Sequence, residues 1–476
     1  MRRPRLIPFI CAVFLLFLSA KLPAAQKPNL VIILVDDMGY GDIGCYGSKL
    51  NRTPNCDRMA AEGMKLTSFY AAPVCTPSRA QVLTGCYAKR VSLPAVIFPA
   101  ARVGLSAKEH TIADLLRAQG YATQCIGKWH VGDQVDFLPT HRGFDHYLGL
   151  PYSNDMQGEW DGAPDAPPGK RNPPLPLVRD ETVIDTMNGN RQERIEQIYT
   201  DEAVKFIRDS KDRSFFLYLA HTAVHVPLHP GPAFKGRSSN GAYGDWVEEV
   251  DASTGRVLDT LRDLKLADNT LVIFTSDNGP WLTQGKNGGT AGPLRGGKGG
   301  TYEGGMREPT IAWWPGHIAP GATSDAVTGE IDLLPTFVKL AGGAIPTDRK
   351  IDGADILPLL LGQTTQSPRG VQYYFNANQL QAVREGPWKM AIAPQHEQNR
   401  IAGQPQPVSR PPFPKLYNLA TDLGETTDVA SNHPDVVQHL QELVARMDRD
   451  LGKKGVGPGV RPPDVSADPR PLLMRK

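Results

Sequence analysis

Three runs of β-branched and aromatic residues stand out along the chain: Asn29–Val35 (NLVIILV), Phe215–Ala220 (FFLYLA) and residues 270–275 (TLVIFT). None of them alternates apolar with polar. A continuous apolar run of this length predicts a strand covered on both faces, as in a parallel sheet. Between these runs the pattern changes to a helical period. Thr53-Pro54 supplies an N-cap followed by proline at the first helical position, and predicts a helix ending near Gly63. Residues 111–119, 192–208 and 246–264 carry helical periodicity as well. Strands alternating with helices predict an α/β fold built on a mostly parallel sheet.

Two stretches break this rhythm. Residues 159–179 are rich in proline and glycine and predict no regular structure, and residues 279–305 are glycine-rich and read as a long, close-fitting loop. Past about residue 365 the runs become short. A polar segment at 395–412 and a helix at 434–451 follow, so 26–365 reads as the main α/β domain and 366–454 as a smaller α+β domain. Residues 455–476 are proline-rich and predict a loose tail. At the other end, Arg2, Arg3 and Arg5 precede an apolar run from Phe9 to Leu18, and Pro23-Ala24-Ala25 offers small residues for cleavage. This predicts a signal peptide over 1–25 and a secreted or periplasmic mature chain. The run is shorter than the roughly 20 residues of a membrane span, so no membrane anchor is expected in the mature form.

Composition narrows the partners. Of 476 residues 40% are hydrophobic and 21% charged, with a formal net charge of +2. That balance points away from nucleic acid. Cys11 leaves with the signal, and Cys45, Cys56, Cys75, Cys86 and Cys125 remain. Five is an odd number for an oxidising compartment, so one must be free, paired between chains or chemically used. With no Cys-x-x-Cys pair, a structural zinc site is not expected.

The candidate chemistry sits where the strands end. The run at 29–35 leads into Asp36-Asp37, and the run at 270–275 leads to Asp277-Asn278. The run at 215–220 leads into His221 and His225, and residues 122–126 lead to Lys128 and His130. Ligand crevices of parallel sheets lie beyond the carboxyl ends of the strands. Asp36, Asp37, Asp277 and Asn278 offer only oxygen, a set that suits Ca²⁺, or Mg²⁺, and not zinc. Pro77 suits the first turn of a helix ending near Gly85, which puts Cys75 at its anion-favouring N-terminus. A soft thiolate is a poor companion for a hard cation, so position 75 calls for an oxygen nucleophile, which cysteine becomes only by modification. Gly292–Lys298 (GPLRGGK) matches part of a nucleotide-binding P-loop, but Gly299 stands where the Mg²⁺-binding hydroxyl belongs. The glycines are better read as bringing Lys298 close to an anion.

Cys75-Thr76-Pro77-Ser78-Arg79 resembles the type I sulfatase signature Cys-x-Pro-Ser-Arg. Residues 120–130 (GYATQCIGKWH) resemble the second signature of that family, and YEGGMREPTIAWWPGHIAPG from Tyr302 onwards is similar to its glycan and aryl sulfatases. The likeness runs from about Pro28 to Ala341 and resumes over 382–422. It implies an alkaline-phosphatase-like α/β fold with a smaller C-terminal domain. It implies hydrolysis of a carbohydrate or aryl sulfate ester, and oxidation of Cys75 to formylglycine by a formylglycine-generating enzyme. It also implies a metal held by Asp36, Asp37, Asp277, Asn278 and residue 75. Lys128 and Lys298 would clamp the sulfate, Arg79 would hold residue 75 and the ligands in register, His130 would act as base and His225 as acid, with His221 structural. The rivals are a phosphate or phosphonate monoester hydrolase of the same fold, and an inactive binder of sulfated glycans.

Overall fold

The computed structural model describes residues 27–159, 172–396 and 411–473. The segment read as a signal peptide, residues 1–25, lies outside the described residues.

A ten-stranded sheet forms the centre. Asn29–Val35 pairs in parallel with Thr270–Ser276 on one side and Phe215–Ala220 on the other. Ala122–Gly127 pairs in parallel with Phe215–Ala220. Ile311–Trp313 joins Thr270–Ser276 antiparallel, and the opposite flank ends in the antiparallel pair Pro176–Arg179 and Thr182–Thr186. The double burial expected of the first strand is explicit in its packing. Leu30, Ile32 and Leu34 enter one core with Leu83, Leu116 and Phe337. Val31, Ile33 and Val35 enter the other with Met59, Ala203 and Val250. Helices Cys75–Thr84, Ile112–Ala118 and Leu333–Leu340 cover the first face, and Pro54–Glu62, Ile195–Asp209 and Gly241–Asp263 cover the second. Burial of alternate residues against opposite helix layers is what an unbroken apolar run requires.

Three expectations are corrected. Residues 176–179, placed in the irregular 159–179 stretch, form a strand, because Leu148 and Gly149 pair with Arg179 and Val178 at the sheet edge. The helix expected from Trp246 begins at Gly241; glycines at 241 and 244 hide the periodicity of its first turn. The stretch read as a loose tail is fastened to the main body over 461–466, although none of its described residues is buried. Asp464–Val465 pairs with Val103–Gly104, and Arg461 Nε and Nη2 donate to Glu109 at 2.6 and 2.7 Å.

Past residue 365, four antiparallel strands (Val371–Asn376, Gln379–Glu385, Trp388–Ala391 and Lys415–Asn418) carry the helix Pro434–Leu451. Leu440, Leu443 and Met447 of the helix pack on Leu380, Val383 and Met390. This sheet grips the glycine-rich loop of the main body. Lys389 Nζ, fully buried, donates to the Thr301 carbonyl at 2.9 Å and to Glu303 at 3.0 Å, and lies 2.8 Å from Glu425. Glu425 accepts from the Glu303 backbone N–H at 2.7 Å, and Asn376 Nδ2 donates to the Gly299 carbonyl at 2.9 Å.

Candidate active site

Strand register brings the site together. Val35 lies opposite Ser276, Leu34 opposite Ala220, and Gly127 opposite Ala220. The next residues therefore leave the sheet at one edge, and the backbone ties them there. The N–H of Asp277 donates to Val35 O at 2.9 Å, that of His221 to Leu34 O at 2.8 Å, and that of Lys128 to Ala220 O at 2.8 Å. Gly127 permits the last contact, since a Cβ there would lie 1.8 Å from the Ala220 carbonyl oxygen. Asp37 and His130 hold left-handed backbone, φ 59° and 61°. For non-glycine residues that conformation is costly and persists where the surroundings over-determine it.

Cys75 opens the helix Cys75–Thr84, which ends on left-handed Gly85 as the sequence pattern requires. The thiol is 2% exposed. One turn later, fully buried Arg79 reaches across the edge. Its Nε and Nη2 donate to Asp277 Oδ2 at 3.0 and 2.8 Å, Nη2 donates to Asp36 Oδ2 at 3.2 Å, and Nη1 donates to the Lys128 carbonyl at 2.5 Å. Lys128 Nζ donates to Asp36 Oδ2 and, at 3.1 Å, to Ser153 Oγ. Lys298 Nζ donates to Asp37 at 2.8 Å, so the glycine-rich loop delivers its lysine to the acidic cluster. Asn278 Nδ2 donates to Asp37 Oδ1 at 2.7 Å.

Ligand-capable atoms of Asp36, Cys75 and Asp277 lie within 4.8 Å of one another, as do those of Asp36, Asp37 and His225. Asp36 Oδ1 and Asn278 Oδ1 are buried without a hydrogen-bond partner. Bare buried oxygens are costly, and a divalent ion among Asp36, Asp37, Asp277 and Asn278 would satisfy both. The residues fit an oxygen-ligated cation of the calcium or magnesium type.

The two histidines differ in what they present. His130 Nε2 lies 3.0 Å from the Ile97 carbonyl, which can only accept, so Nε2 carries the hydrogen. Its Nδ1 is buried and unpartnered, a bare acceptor. His225 Nδ1 lies 2.6 Å from the Val226 carbonyl and therefore carries hydrogen there, while Nε2 faces Asp37 Oδ2 at 3.6 Å. His221 pairs with buried Glu196, which also accepts from the N–H groups of Thr222 and Ala223. Glu196 thereby ties His221 to the backbone that leads to His225.

The charges interlock. Burial would raise Asp36, but Lys128, His225, Arg79 and Lys298 outweigh it and hold its carboxyl well below the usual range. Burial raises Asp37 despite Lys298, and burial together with Asp36 lifts Asp277 to about 6. Burial and the nearby Lys128 push His130 well down, and burial and Lys298 bring His225 to about 3. Burial also raises the Cys75 thiol, so a free thiolate is disfavoured at this position.

A sulfatase profile matches residues 28–344, and a second, for the C-terminal region of aryl-sulfatase, matches residues 367–462. The chain belongs to the sulfatase family. Human arylsulfatase A is 41% identical over 460 residues, covering 90% of this chain and 89% of that protein. Pig N-acetylgalactosamine-6-sulfatase is 43% identical over 392 residues, covering 77% and 72%. The crystal structure of a sulfatase from Pseudoalteromonas sp. superposes with a TM-score of 0.79 at 30% identity, covering 91% of this chain and 92% of that one. The fold is thus the alkaline-phosphatase-like one of sulfatases, and the chain is a sulfuric ester hydrolase. The structure brings Asp36, Asp37, Cys75, Arg79, Lys128, His225, Asp277, Asn278 and Lys298 together at one sheet edge, whereas His221 faces Glu196. Ser153, Trp281 and Glu196 were missed, because single residues in loops or helices leave no periodic signal. All five described cysteines carry free thiols, and no helix among the described residues is long and apolar enough to cross a membrane.

Proposed function

We propose that this sulfatase is exported and hydrolyses sulfate monoesters of carbohydrate or aryl alcohols, giving the alcohol and sulfate at the expense of one water. Residue 75 acts as formylglycine, made from the cysteine by a formylglycine-generating enzyme. Asp36, Asp37, Asp277, Asn278 and residue 75 hold a divalent cation, Ca²⁺ in preference to Mg²⁺. The observation that carries this reading is the in-register exit of Asp36 and Asp277 beside Cys75, with bare buried oxygens among them.

The hydrated aldehyde supplies the oxygen nucleophile that a thiol cannot, and the cation, when bound, balances the crowded carboxylates and the charge of the ester. The chain's own residues do the rest. Lys128 and Lys298 draw the sulfate in and neutralise charge that grows on its oxygens. That incoming negative charge also favours a protonated His225, which gives its Nε2 proton to the departing alcohol oxygen; an alkoxide leaves badly without it. His130 Nδ1, the bare acceptor, takes the proton from the second hydroxyl of residue 75. Arg79 holds Asp36, Asp277 and the Lys128 backbone in one arrangement.

Mass spectrometry of the tryptic peptide 66–79 from the native host, combined with kinetics on paired 4-nitrophenyl sulfate and phosphate, tests the reading. The expected result is a residue-75 aldehyde and faster turnover of the sulfate. A faster phosphate reaction, or an unmodified thiol with no turnover, overturns it.

A further inference from the structure

One aromatic side chain lies against the site without a part in the chemistry above. Trp281 is partly exposed; its ring centre lies 5.3 Å from that of His225, and the Lys298 ammonium lies 4.5 Å from it. Trp281 is held firmly. The Gln284 N–H donates to its carbonyl at 2.9 Å, and the Lys298 N–H donates to Pro280 O at 3.0 Å. Gly288 passes so close that a Cβ there would lie 1.9 Å from the Trp281 carbonyl oxygen. The backbone that carries the indole is thus fixed, and the ring lies against the two side chains that must face the ester.

We propose that Trp281 is the platform on which the alcohol half of the ester stacks, so that the enzyme selects sulfate esters of ring alcohols with a flat apolar face, a pyranose or an aryl ring. The inference rests on His225 being the general acid. An acid must lie about 3 Å from the oxygen it protonates, so the carbon skeleton on that oxygen occupies the space next to the imidazole, where Trp281 also lies. An indole stacks equally on the C–H face of a sugar and on a π face, and gives nothing comparable to a short flexible alkyl chain. The cation–π contact keeps Lys298 against the same ring, so sulfate and alcohol are registered by one side chain.

The test compares matured wild type, Trp281→Ala and Trp281→Phe on galactose and N-acetylglucosamine monosulfates, 4-nitrophenyl sulfate, and ring-free glycerol 1-sulfate. Trp281→Ala is expected to lose about tenfold more kcat/KM on a ring ester than on glycerol sulfate, mainly in KM, with Trp281→Phe restoring most of the difference. An excess loss confined to the sugar esters identifies a pyranose platform, and one confined to the nitrophenyl ester identifies an aryl platform. An equal loss on ring and ring-free esters overturns the proposal, because Trp281 then only holds Lys298 and His225. A wild type that carries the aldehyde and turns over none of these esters overturns the reading of the site itself, and the platform with it.

Discussion

Replacing Arg79 with lysine keeps the charge and removes the fork. The guanidinium makes four hydrogen bonds in three directions, two to Asp277, one to Asp36 and one to the Lys128 carbonyl. An ammonium donates from a single point and cannot span them. At least two are lost, the carbonyl bond and one of the pair to Asp277. At about 1.5–3 kcal/mol for a bond to a charged group, the loss is about 3–6 kcal/mol. Unfolding entropy of about 2.1 cal/mol/K per residue comes to about 1 kcal/mol/K over 476 residues. Arg79→Lys should therefore lower Tm by about 3–6 °C, and kcat/KM by at least about tenfold as the ligands lose register. Differential scanning fluorimetry reads the first. The second needs activity normalised to the converted fraction of residue 75, because Arg79 also belongs to the sequence motif around the cysteine. An unchanged Tm together with normalised activity within threefold of wild type would refute the reasoning.

His225→Ala should lower kcat by about 10²–10⁴ on a sugar sulfate and far less on 4-nitrophenyl sulfate, whose leaving group needs little protonation; equal losses would remove His225 from the acid role. Dialysis against a chelator should abolish turnover and lower Tm, with Ca²⁺ restoring both better than Mg²⁺; full activity in the metal-free protein would contradict the ligand set. Glu249 accepts from the Gly231 N–H at 2.7 Å, yet burial raises its carboxyl to about 8. A folded-state value above the unfolded one means stability is fully present below about pH 4 and is lost as pH rises towards 8. Glu249→Gln should accordingly gain Tm relative to wild type between pH 5 and pH 9, and a constant Tm difference across that range would show the shift is absent.

The parts of this molecule that declared themselves in the sequence did so through repetition. Six consecutive apolar residues at 30–35 mark a strand between two layers, and the acids that follow inherit their position from its register. Helix Cys75–Thr84 was legible from Pro77 and Gly85 alone. The three-residue strand Ile311–Trp313 was not, because its pairing with Thr270–Ser276 and Met64–Leu66 comes from distant segments and not from local pattern. Lys389 looks like any charged strand residue, and only the fold shows it between Glu303 and Glu425. The fastening of the tail escaped for a similar reason: proline-rich composition excludes helix, but says nothing about the ion pair of Arg461 with Glu109. Trp281 carried no signal beyond its type, since one aromatic in a glycine-rich loop is as readily a surface residue as a binding one.

The burial of Cys75 bears on how the proposed maturation proceeds. The Gly299 N–H donates to the Pro73 carbonyl at 2.7 Å, two residues before the thiol, and the same glycine is fastened by Asn376 of the C-terminal sheet. The loop that closes on the segment before the thiol is thus held by a residue synthesised three hundred positions after it. Under the proposed maturation, a second protein converts that sulfur while the nascent chain is still open, and a mutation that hastens closure leaves a folded product with residue 75 unconverted.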